Sequence, residues 1–245
     1  MKAIQIKNLT KKYKDVVAVD NLTLDVNEGE LFALLGVNGA GKTTTIKMLS
    51  CLTLPTEGDA IILNNSIKEN PQVIKEVIAV SPQEMAIAKG LTVFENLELI
   101  CGVHGFSKEK KISKIEELKN KFNLSSILNK KAGKLSGGWQ RRLSIAMALI
   151  SEPKILFLDE PTLGLDVIAR SELWDIIKTL KGEITIILTT HYMHEAETLS
   201  DRIAIMKNGK LLICDTSINI KKAAGIDDFE QAFVKIVKGE KIWRC

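Results

Sequence analysis

Residues 36–43 read GVNGAGKT. Glycines at 36, 39 and 41 let a loop wrap tightly enough for successive backbone N–H groups to face one anion. Lys42 and Thr43 then add an ammonium and a hydroxyl. The pattern G-x-x-x-x-G-K-[ST] lies between an apolar run and a helical one, the setting a phosphate cradle requires. In such a cradle Lys42 reaches the terminal phosphates and the Thr43 hydroxyl is available to Mg²⁺. A chance match in 245 residues is on the order of 1%, so the loop is read as ligand-binding. ILFLDEP (Ile155–Pro161) supplies a carboxylate pair. Asp159 ends an apolar run where it can hold a magnesium shell, and Glu160 is the candidate base for an attacking water. LSGG (Leu135–Gly138) opens a long helical pattern with a Ser and two Gly. Glycine weakens a helix, so the pair reads as backbone N–H groups bared toward something negative.

Four short apolar runs must position these residues: Glu30–Gly36, Glu76–Gln83, Lys154–Pro161 and Glu183–His191. None alternates with polar residues, which is how strands buried on both faces of a parallel sheet read. Helical patterns such as GKTTTIKMLSCL and ARSELWDIIKTL separate them, so the expected class is α/β with a mostly parallel sheet. Each run ends on Gly-Lys, Gln83, Asp159-Glu160 or His191. In open α/β sheets ligands bind outside the carboxyl ends of the strands, so one sheet edge should receive all four. Residues 84–150 read mostly helical and are expected to form a lobe inserted into the core. Residues 216–245 form a tail, with a helix expected at DDFEQAFVKIV.

Bulk properties exclude several classes. Net charge is +4, from 34 basic and 30 acidic residues, too mild to argue for nucleic acid. The basic run Ser107–Phe122 carries Ile112, Ile115, Leu118 and Phe122 at helical spacing and reads as a solvated helix face. Four cysteines without a CxxC pair argue against a disulfide framework or zinc site and fit a reducing cytosol. The N-terminus lacks the apolar core of a signal peptide, and no apolar run approaches 18 residues.

Taken in order, these motifs resemble the nucleotide-binding subunit of an ABC transporter, over about Ile4 to Gly209. Gly36, Val37, Asn38, Gly39, Ala40, Gly41, Lys42, Thr43 and Thr44 resemble the Walker A loop. Ile155–Glu160 resembles the Walker B strand with its catalytic Glu160, and Leu135–Gly138 the signature. Gln83 matches the Q-loop, Asp166 the D-loop, His191 the switch His, and Tyr13 the aromatic that stacks on adenine. The resemblance implies a P-loop NTPase core, an N-terminal antiparallel β subdomain and an inserted α-helical subdomain, together spanning residues 1–215. It implies ATP as ligand, with Mg²⁺ held through Thr43, Asp159 and Gln83. It also implies that Ser136, Gly137 and Gly138 of one copy face the γ-phosphate held by a second copy, in a head-to-tail dimer.

Such a subunit is a cytoplasmic ATPase, peripheral on the membrane through a separate transmembrane permease, with no nucleic-acid partner. LTVFENL, LSGGWQRRLSIAMAL and FEQAFVKIVKG resemble cassettes of ABC-2-type exporters. The permease is expected on the lobe around Gln83–Asn96, with Phe94 and Leu97 as an apolar grip and Glu95 exposed beside them. Trp139 stands where the family most often has Gln and is read as helix packing or interface contact; Arg142 matches the Arg later in that motif. The alternative is a non-transport ABC ATPase acting on DNA or ribosomes. No long heptad insertion separates the Walker motifs and only one Walker A is present, so neither form of that alternative is favoured. Intact Glu160 and His191 argue against a nucleotide sensor without turnover.

Overall fold

The computed structural model describes residues 1–239; residues 240–245 of the expected tail, with Cys245, lie outside the described residues. Two long strands, β1 (Lys2–Tyr13) and β2 (Val16–Asn27), form an antiparallel pair. Val19, Leu22, Leu24 and Val26 of β2 turn inward while their neighbours face solvent, the alternation of a half-buried sheet. β3 (Leu31–Leu35) runs into the Gly36–Gly41 loop and α1 (Lys42–Leu49). β4 (Glu57–Ile62) and β5 (Asn65–Ser66) return to the first pair and complete a four-stranded sheet, order β2-β1-β4-β5.

α2 (Pro71–Val77) leads into β6 (Ile78–Ser81). The strand expected over Glu76–Gln83 is therefore shorter than its apolar run. Pro71 suits a first helical turn, and the helix it starts carries through Val77 before Ile78 turns extended. Three helices then form the lobe: α3 (Val93–Val103), α4 (Lys108–Lys121) and α5 (Gly137–Ala148). Ile115 and Leu118 of α4 and its C-cap Phe122 are buried, but Ile112 is 59% exposed. At 3.6 residues per turn Ile112 sits about 90° from the centre of the arc the other three share, so it leaves the core.

The chain re-enters the core at β7 (Ile155–Asp159), followed by α6 (Val167–Leu180), β8 (Thr185–Thr190), α7 (Met193–Leu199), β9 (Arg202–Lys207) and β10 (Lys210–Asp215). The six-stranded sheet has order β10-β9-β3-β8-β7-β6 and is parallel apart from the β9–β10 hairpin. Every residue of β3, β7 and β8 is buried, which explains their unbroken apolar sequences. α8 (Ser217–Ala224) and α9 (Phe229–Lys238) follow. Phe229, Phe233 and Ile236 of α9 pack with Ile203 and Ile205 of β9. The fold is the α/β core with separate antiparallel sheet and helical lobe that the motifs implied.

Candidate functional site

The loop after β3 owes its path to glycine. Gly39 and Gly41 have φ of +80° and +102°, a region that side chains disfavour. A Cβ on Gly41 would come within 2.5 Å of the Ala18 carbonyl, and one on Gly36 within 2.5 Å of the Met206 carbonyl. The loop is thus clamped between the two sheets and ends with Gly41 as a cap that offers no side chain to the first-turn N–H groups of α1.

Lys42 folds into this loop. Its Nζ donates to the Gly36 carbonyl at 2.7 Å and lies 3.2 Å from Glu160 Oε1. The other oxygen of Glu160 is 2.8 Å from His191 Nδ1. Lys42 and Glu160 are both buried, so the pair sits where charges attract strongly and water competes little. Glu160 itself has φ +48°, an uncommon setting for a non-glycine residue that marks a held turn. Its N–H donates to the carbonyl and hydroxyl of Thr189 on the adjacent strand. Asp159, one residue earlier, accepts from Thr43 Oγ1 at 3.2 Å and from Thr189 Oγ1.

A cavity of about 740 Å³ gathers Asn38, Gly39, Ala40, Gly41, Lys42, Thr43, Thr44, Gln83, Glu160 and His191. Four chain segments distant in sequence therefore meet at one sheet edge. Gly36, Val37 and Asp159 do not line it, but Lys42 Nζ donates to the Gly36 and Val37 carbonyls and Thr43 Oγ1 to Asp159. Tyr13 does not line the cavity; it ends β1, 45% exposed, with Lys11 Nζ 5.0 Å from its ring centre. Its cross-strand partner Val16, with Val17 and Ala18, makes that wall instead. Sequence reading missed these three, and Leu163 and Asn208, because apolar or loop residues carry no chemical signature.

Arg141 was missed as well. It lies on α5, 3% exposed, and donates to the Pro82 and Gln83 carbonyls at 2.7 and 2.6 Å. Burial pulls its pKa down and the Asp159 charge acts the other way. Arg141 thus ties the signature helix to the Gln83 segment. Arg142 pairs with Glu172 and covers the Trp139 ring at 4.5 Å, so Trp139 serves helix packing.

The signature residues belong to a second place. Ser136 and Gly137 are exposed at the start of α5, and the Ser136 side chain makes no capping hydrogen bond. Ser136, Gly138 and Asp166 line a separate cavity of about 300 Å³ with Ile168 and Ala169. Asp166 caps α6 by accepting from the Ala169 N–H at 2.9 Å. Gly138 has a packing reason beyond ligand approach: a Cβ there would fall 2.8 Å from the Ala169 Cβ.

The expected apolar grip needs correction. Leu97 is fully buried in the lobe core, whereas Phe94 is 37% exposed. Asn96 is also buried, and its side chain bonds the Ala88 N–H and the Ala88 and Thr92 carbonyls. Glu95 is exposed but forms a capping box with Thr92 at the start of α3, which lowers its pKa.

The oxygen set is consistent with Mg²⁺. Thr43 and Asp159 offer adjacent hard donors, and Mg²⁺ in nucleotide sites takes few protein ligands besides phosphate and water. Among the described residues no group of three His, Cys, Asp or Glu forms a self-sufficient metal cage.

Comparison with known proteins agrees with this geometry. The ABC transporter family profile matches residues 19–163. A probable multidrug ABC transporter ATP-binding protein, YbhF of Escherichia coli K12, is 39% identical over 241 residues, 96% of this chain and 41% of that protein. The human phospholipid-transporting ATPase ABCA3 is 41% identical over 226 residues, 91% of this chain and 13% of that protein. The chain therefore spans less than half the length of these relatives. Among solved structures, an ATP-binding subunit of an ABC transporter superposes with a TM-score of 0.84 at 28% identity, covering 96% of this chain and 99% of the other. The cassette MJ0796, as a post-hydrolysis dimer bound to ADP and Pi, gives 0.77 at 30% identity, covering 87% and 98%. The chain belongs to the ABC transporter family.

Proposed function

We propose that this chain binds ATP with Mg²⁺, hydrolyses it to ADP and phosphate, and drives export through a separate membrane subunit. The observation that carries the reading is the convergence of the Gly36–Thr44 loop, Gln83, Glu160 and His191 on one cavity. Two copies pair head to tail, so that Ser136 and the Gly137 and Gly138 N–H groups of one complete the phosphate site of the other. The uncommitted Ser136 side chain and its distance from the Lys42 cavity in sequence and lining support that pairing, as does the dimeric MJ0796 relative.

In the reaction the loop N–H groups and Lys42 hold the phosphates, and Thr43, Asp159 and Gln83 would hold Mg²⁺, which supplies charge neutralisation when bound. Phosphate competes with Glu160 for Lys42, so nucleotide binding exchanges a buried carboxylate partner for a phosphate one. Glu160 then accepts the proton of the attacking water while His191 steadies its other oxygen. Val16, Val17 and Ala18 offer the wall on which the base would lie, with Tyr13, the cross-strand partner of Val16, next to it but outside the lining.

The membrane subunit docks beside Gln83. A groove of about 540 Å³ runs along the edge strand β6 between α3 and α5, lined by Pro82, Ala86, Ile100, His104, Ser144 and Met147 among others. Phe94, Leu99 and Val103 of α3 are also exposed and add apolar surface to the lobe. No described helix is long and apolar enough to cross a membrane, which is why the reading needs a partner. The relatives' names, a multidrug transporter ATP-binding protein and a phospholipid-transporting ATPase, support export. The test is isolation of the chain from native membranes with its partners identified by mass spectrometry. Recovery with an integral membrane protein is expected; recovery only with DNA or ribosomes would refute the transport reading.

A further inference from the structure

We propose that Glu195 is a positioning residue for hydrolysis: it fastens the helix that follows His191 to the turn that follows Glu160. The proposal rests on the hydrolytic reading above.

Glu195 is the third residue of α7 and fully buried. Its Oε1 accepts from Thr162 Oγ1 at 2.8 Å and from Trp174 Nε1 at 2.9 Å. Thr162 is also fully buried and lies two residues beyond Glu160. The Leu163 N–H closes a turn onto the Glu160 carbonyl at 3.2 Å, and the Leu165 N–H a second onto the Thr162 carbonyl at 3.1 Å. Trp174 belongs to α6, the helix Asp166 caps. One carboxyl oxygen therefore joins the turn that holds Glu160 at positive φ, the helix after it, and the helix after His191.

The other oxygen, Oε2, has no hydrogen-bond partner among the described residues. An ionised carboxylate with a bare oxygen is costly to bury, which works against the charged form. Burial raises the Glu195 pKa and the Glu160 charge adds to it, while the neighbouring Thr190 hydroxyl and the bonds from Thr162 and Trp174 act the other way. The groups facing it are thus Thr190 of β8, Thr162 and Glu160 of the turn, and Trp174 of α6, with His194 edge-on behind the indole at 5.3 Å. Glu195 does not line the Lys42 cavity, so its loss should disturb turnover more than affinity.

The test uses the purified chain, with phosphate release, binding of a fluorescent ATP analogue, and hydrogen exchange. Glu195→Ala should lower kcat about tenfold or more while leaving the analogue Kd within about threefold. Glu195→Gln is neutral and its amide oxygen can accept the same two bonds, so it should keep kcat within about threefold of wild type. Thr162→Val keeps the Trp174 bond, guards against a misfolded Glu195→Ala, and should show the same split. Unchanged kcat in Glu195→Ala, parallel loss of kcat and affinity, or a Glu195→Gln as damaged as Glu195→Ala would each overturn the proposal. If wild type binds nucleotide but releases no phosphate, the hydrolytic reading has failed instead. The fastening is then read at the Leu163 and Leu165 amides, where Glu195→Ala should speed exchange about tenfold and Glu195→Gln should not. Equal exchange in all three proteins overturns it.

Discussion

Replacing Gly138 by Ala separates the two reasons a glycine can stand in the signature helix. An added Cβ would lie 2.8 Å from the Ala169 Cβ, against an ordinary carbon contact of about 3.5–4.0 Å. The next Ala169 atom, Cα, is 3.9 Å away, so the clash is one methyl against another across the α5–α6 contact. Relieving it requires the helices to part, at about 1–3 kcal/mol for overpacking. Ala in place of Gly within a helix returns up to ~1 kcal/mol. The expected net loss is therefore about 1 kcal/mol in denaturant melts of the nucleotide-free chain. Ala169→Gly removes the facing methyl, so the double variant should show a favourable coupling of about 1–2 kcal/mol. Gly137 is the control. A Cβ there meets only Leu165 Cδ2 at 3.6 Å, an ordinary contact on an exposed residue. Gly137→Ala should hold or gain stability, up to ~1 kcal/mol, yet lose ATPase activity if its N–H approaches a phosphate. A Gly138→Ala chain stabilised by ~1 kcal/mol, with no coupling to Ala169, would refute the packing argument.

Lys42→Ala should weaken nucleotide binding, while Ser136→Arg should spare binding by the single chain and block hydrolysis. Mixing the two inactive variants should restore part of the ATPase activity, because both lesions can fall on one composite site; no recovery in proven mixed dimers would contradict head-to-tail pairing. Glu95→Lys breaks the Thr92 capping box and puts a cation at a helix N-terminus, so thermal melts should show a lower Tm than wild type. Glu95→Gln keeps the box and should melt close to wild type; equal melts for the two variants would dismiss the capping account. Burial pushes the Cys214 thiol up to about 11, so alkylation of the native chain at pH 8 should leave it unmodified, and rapid labelling would show an opened β10.

The core strands were readable in the sequence because burial on both faces leaves Leu31–Leu35, Ile155–Asp159 and Thr185–Thr190 without polar alternation. The convergence of Lys42, Gln83, Glu160 and His191 followed from that, since parallel strands deliver their ends to one edge. What stayed hidden depends on contacts between distant segments. Gly138 reads like Gly137 until Ala169, far along the chain, is found against it. Leu97 and Phe94 read alike, yet only Leu97 faces the lobe core. Glu195 looks like a surface acid of a short amphipathic helix; only the folded chain sets Thr162 and Trp174 against it. Val77 marks the other kind of limit, where the helix that Pro71 starts runs on into an apolar stretch that strand propensity alone would claim.

Phosphate release by purified wild type and Glu160→Gln, side by side with saturating ATP and Mg²⁺, bears most directly on Glu160 as the base. Both proteins should bind ATP, because Lys42 and the loop N–H groups are untouched, and the variant should accumulate as an ATP-bound dimer. Its hydrolysis rate should fall about 10²–10⁴-fold, the usual cost of losing a general base. A Glu160→Gln chain that turns over at close to the wild-type rate would contradict the account.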